Sequence, residues 1–87
     1  MARFPSGQLL ITPNAQEQLD ALAVQTALGR HFSGDWGDVC ATDRLENEFA
    51  LREGTRLFSV YHDGDTKFWI MTEADRSATT VLLPEDY

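Results

Sequence analysis

A single cysteine, Cys40, rules out an internal disulfide, which suits a reducing compartment. No apolar run nears the roughly 20 residues of a membrane-spanning helix. Met1-Ala2-Arg3-Phe4 lacks the apolar core of a secretion signal, so a cytoplasmic location is expected. Basic side chains are scarce: seven Lys and Arg stand against fourteen Asp and Glu, a formal net charge of −7. That balance excludes nucleic-acid binding through a basic footprint and disfavours anionic membranes. Partners with basic or neutral surfaces remain. There is no P-loop, no G-x-G-x-x-G, no C-x-x-C pair and no internal repeat.

What is present fits one globular domain spanning 1–87, because 87 residues with 43% apolar content cannot be split into two cores. Gln8-Leu9-Leu10-Ile11 reads as a strand or an extended lead-in. Thr12-Pro13 supplies an N-cap and a proline at the first helical position. Ala15, Leu19, Leu22, Ala23 and Thr26 then keep helical spacing until Gly29, where the helix is expected to break or end. Ser33 to Asp38, with glycines bracketing Trp36, is a loop. A second helix runs from between Asp38 and Thr42 to Gly54, with Ala41, Leu45 and Phe49 as its apolar face.

After Gly54 the period changes to two. Thr55 to His62 and Lys67 to Thr72 form a hairpin around Asp63-Gly64-Asp65, and Ala78 to Leu83 follows as a third strand stopped by Pro84. The expected fold is therefore α+β: two helices, first in the chain, packed on one face of a three-stranded antiparallel meander. The other face carries enough apolar residues, among them Tyr61, Trp69 and Met71, to serve as a contact surface unless Leu9-Leu10-Ile11 folds over it.

Candidate chemical groups are sparse. Cys40 with His31 or His62 has no spacing that marks a thiol enzyme. His31, Asp35 and Asp38, or His62, Asp63 and Asp65, lack a metal-ligand spacing, and the second set sits on a turn where Asp and Gly are favoured for backbone reasons. Glu73 and Asp75 as an acid–base pair would need a cleft that a chain of this length can barely build. No enzyme activity, metal or cofactor is expected.

The acids themselves are more informative. From Asp35 to Glu53 there are six, Asp35, Asp38, Asp43, Glu46, Glu48 and Glu53, against Arg44 and Arg52. Helical neighbours three or four apart stand about 5–6 Å from one another, comparable to the charge spacing of a duplex backbone. Such a row on a rigid scaffold resembles a phosphate ladder to a basic groove. Glu73 and Asp75 form a second patch, and Trp36 and Trp69 are candidate apolar anchors.

The motifs Arg30-His31, Gly34-Asp35-Trp36-Gly37, Gly54-Thr55-Arg56, Ser59, Tyr61, Trp69-Ile70 and the tail TEADRSATTVLLPEDY (Thr72 to Tyr87) resemble a family of short bacterial proteins. These are called plasmid-related or mobile-element proteins. The resemblance covers nearly the whole chain and is most specific in the tail. Small acidic proteins of phages and plasmids often inhibit host nucleic-acid defences. The resemblance thus implies a non-enzymatic, anti-CRISPR-like inhibitor, a monomer or weak homodimer. It would act as an acidic DNA mimic on the basic groove of a protein complex, either a CRISPR surveillance complex or a restriction enzyme. The alternative is a protein-interaction or dimerisation adaptor of a mobile element, working through the aromatic sheet face.

Overall fold

A computed structural model describes residues 2–87. Its elements are β1 (Gln8–Ile11), α1 (Pro13–Gln18), α2 (Ala21–Ser33), α3 (Ala41–Glu53), β2 (Leu57–Asp63), β3 (Thr66–Thr72) and β4 (Ala78–Leu82), with a closing 3-10 turn at Pro84–Asp86. The α+β class stands, with three helices rather than two and a four-stranded mixed sheet rather than a three-stranded meander. β2, β3 and β4 do form the antiparallel meander. β1 adds to it in parallel beside β4, giving the order β1-β4-β3-β2. Leu9-Leu10-Ile11 therefore extends the sheet at its edge and does not fold over a face.

The expected first helix is two. Thr12 caps α1 by accepting the Ala15 N–H, and the chain turns extended at Leu19. Asp20 then caps α2, its carboxylate accepting the N–H groups of Leu22 and Ala23. A carboxylate that can hold two N–H groups competes well with helix continuation, so the break falls there. Gly29 sits inside α2. The helix ends at Gly34, whose left-handed φ of 89° closes the cap.

The face of the sheet bearing Tyr61, Phe68, Ile70 and Val81 packs against Ala15, Leu19 and Ala27 of the first two helices. A second cluster, Phe4, Trp36, Ala50 and Leu57, joins α3 to the start of β2. On the opposite face Phe58 and Trp69 meet edge to face at 5.1 Å, and Tyr87 packs on Trp69 at 5.8 Å. The register places Tyr61 opposite Phe68 and Val60 opposite Trp69. Tyr61 thus lies on the helix-covered face, and it does not share a surface with Trp69 and Met71.

A buried row of hydrogen bonds crosses the sheet. Thr79 donates to the Ser6 carbonyl at 2.7 Å, so its oxygen accepts from Thr72 at 2.8 Å. Thr72 in turn accepts from His31 Nε2 at 2.9 Å, which leaves Nδ1 to accept from Ser59 at 2.6 Å. Each hydroxyl has one proton, so the row fixes His31 as the neutral Nε2–H tautomer. Burial holds its pKa down to about 4.

Candidate partner-binding surface

α3 owes its rotation to β2, an end strand of the sheet. The Asn47 amide donates to the Phe58 carbonyl at 2.6 Å and accepts the Phe58 N–H at 3.1 Å. The turn before α3 continues this closure: Val60 N–H donates to Trp36 O at 3.1 Å and Asp38 N–H to Val60 O at 2.8 Å. The turn can come this close only because Gly37, at φ 76°, has no Cβ to strike the Val60 carbonyl. With Asn47 and Ala50 facing inward, Leu45 and Phe49 face water, 71% and 50% exposed. The apolar stripe expected to pack on the sheet is therefore an outer surface.

The six carboxylates of the expected row, and the two of the second patch, differ in how far they are already engaged. Asp35 takes Arg30 in a two-point ion pair, 2.7 and 3.2 Å, and the guanidinium holds its pKa below the usual range. Glu48 accepts the Trp36 indole N–H at 2.9 Å and pairs with Arg3 at 3.2 Å, which lowers its pKa in the same sense. Glu73 pairs with Arg56, and Asp38 faces His62 at 3.1 Å. Asp75 accepts the Ser77 N–H and so pins a turn. Among the described residues, Asp43, Glu46 and Glu53 enter no ion pair. Glu46 precedes Phe49 by three residues and Glu53 follows it by four, so both border its exposed ring. Arg52, three residues after Phe49 and likewise outside any ion pair among the described residues, shares that border, so the rim of the Leu45–Phe49 pair is mixed in charge.

The two tryptophans occupy other ground. Trp36 is 1% exposed and stacks in the Phe4–His31–Phe32 cluster, while Trp69 is partly covered by Tyr87. The Gly34–Gly37 motif is thus a structural corner. The polar Asn47 between Leu45 and Phe49 was the signal in the sequence that these two face outward.

Neither histidine is poised to activate Cys40. His31 spends both ring nitrogens on Ser59 and Thr72, and His62 Nε2 faces Asp38. Among the described residues, no three His, Cys, Asp or Glu side chains are placed to hold a metal, and no helix is long and apolar enough to cross a membrane. A shallow hollow of about 390 Å³ between α2 and β2 includes Arg30, which is already engaged by Asp35 and lies 4.9 Å over the Tyr61 ring.

No family model, curated protein or solved structure matches this chain. The tail that carries the resemblance has a structural account of its own. Arg76, held at a left-handed φ of 62°, donates to the carbonyls of Thr55, Glu73, Ala74 and Ala50. Asp86 accepts from Thr12, Asn14 and the Leu83 N–H, which holds its pKa down. Thr72 and Thr79 belong to the His31 row. These tail residues are therefore committed to holding the fold.

Proposed function

We propose that this protein is a non-enzymatic inhibitor of a bacterial nucleic-acid-targeting defence complex. It seats the outer face of α3 in the partner's basic groove. The observation that carries this reading is the pair Leu45 and Phe49, exposed and bordered by Glu46 and Glu53, which enter no ion pair among the described residues, with Arg52 beside them. Asp43 projects from another side of the helix, which leaves Glu46 and Glu53 here, too few to replace a long phosphate backbone. They suffice to steer the helix into a basic groove, where Phe49 and Leu45 supply the desolvated anchor. The net charge of −7 and the resemblance to mobile-element proteins support the choice of a defence complex as target.

The test begins with capture of the partner from a bacterial lysate and a DNA-competition assay on the retained complex. Wild-type protein should displace DNA. The double reversal Glu46→Lys/Glu53→Lys should abolish displacement, and Phe49→Ala should weaken it about 30-fold, the effect of an anchor worth about 2 kcal/mol. Displacement that survives both changes sinks the proposal. Binding that ignores ionic strength and leaves DNA in place favours the adaptor reading instead.

A further inference from the structure

Beyond that reading, and independently of it, we propose that two copies of this chain join through β1, antiparallel about a two-fold axis, into one continuous sheet. Gln8 N–H donates to Ser77 O at 2.9 Å and Thr12 N–H to Val81 O at 3.0 Å. Backbone groups of a strand alternate sides, so residues 8, 10 and 12 face β4. Leu9 and Ile11 then direct their N–H and C=O groups away from the sheet, and β1 is its end strand. Their side chains and that of Leu10 are 55%, 36% and 42% exposed. No charge or proline lies within β1, the devices that normally keep an open edge from pairing.

Charge identifies the occupant. From Phe4 to Gln16 there is no ionisable side chain, on a chain of net charge −7. The two hollows that adjoin β1, one toward Val24 and Leu28 and one toward Gln16 and Gln25, are likewise lined without charge. Two copies of so acidic a molecule repel each other over most approaches, whereas along β1 they meet an uncharged strand, with the Asp86 carboxylate, bonded to Thr12 and Asn14, beyond its C-terminal end. The strand is also self-complementary. With the axis through Leu10, Leu9 lies opposite Ile11 of the second copy, and each such pair exchanges two backbone hydrogen bonds. Leu10 faces its own counterpart across a non-hydrogen-bonded position, where Cα atoms stand about 4.5 Å apart, within reach of a disulfide.

Light scattering on a sizing column, from micromolar to millimolar protein, should show a monomer–dimer equilibrium for the wild type. Leu10→Lys, which opposes two ammonium groups at the axis, should be monomeric throughout with an unchanged circular dichroism spectrum. In a Cys40→Ser background, Leu10→Cys should cross-link to a covalent dimer under mild oxidation, whereas Leu22→Cys, exposed on α2, should not. A wild type that stays monomeric overturns the proposal. So does a dimer that survives Leu10→Lys, or equal cross-linking at both cysteines. Should Leu10→Lys fail to fold, the cross-linking comparison decides alone.

Discussion

At the β2 edge, the backbone of Phe58 and Val60 is taken up by Asn47 and the Trp36–Asp38 turn, whereas at the β1 edge Leu9 and Ile11 leave theirs to water. The closed edge is made by inward-facing polar and glycine residues, and the price is an α3 turned with Leu45 and Phe49 outward. The open edge is made by a short apolar strand in an uncharged stretch. Protection of one edge thus leaves an apolar pair exposed on a helix, and the other edge keeps an unpaired strand backbone. The buried row from Ser59 on β2 through His31, Thr72 and Thr79 to Ser6, two residues before β1, ties the edges together.

The comparison can be broken hardest at Gly37. Gly37→Ala forces a Cβ against the Val60 carbonyl in a left-handed backbone and should cost roughly 3 kcal/mol or more in urea unfolding. Next comes acid. The folded-state pKa of His31, about 4, lies below its ordinary 6.5, so the unfolded chain takes up the proton first. Stability should be full above pH 6.5 and fall by about 3 kcal/mol as pH drops to 4. His31→Gln should lack that slope when unfolding is followed across the window. Asn47→Ala should then cost about 2 kcal/mol, since it strips partners from both backbone groups of Phe58. Smallest of all, Leu10→Lys at the open edge should shift the stability of the single chain by no more than about 0.5 kcal/mol in the same urea titration.

Much of the architecture was legible. The Thr12-Pro13 start, the Gly54 end of α3, the hairpin around Gly64 and the third antiparallel strand all follow from turn chemistry and period. Two of the departures have these physical causes. β1 was open between strand and lead-in because the three-residue apolar run Leu9–Ile11 lacks the alternation that distinguishes a strand, and parallel pairing to a segment 70 residues away leaves no local mark. The rotation of α3 was misjudged because apolar periodicity assigns Leu45 and Phe49 to the core, while Asn47 holds the inward position by serving the β2 backbone. The carboxylates were visible as a group, but their ion pairing depends on Arg3, Arg30 and Arg56, brought in from the N-terminal segment, α2 and the link between α3 and β2.

Arg76 grips Ala50, near the C-terminal end of α3, and the corner between β3 and β4 with one guanidinium. The helix therefore cannot swivel or lift without dismantling that corner. The backbone that carries Leu45 and Phe49 is thus set in advance, so a partner of the kind proposed would have only their side-chain rotamers to freeze on binding.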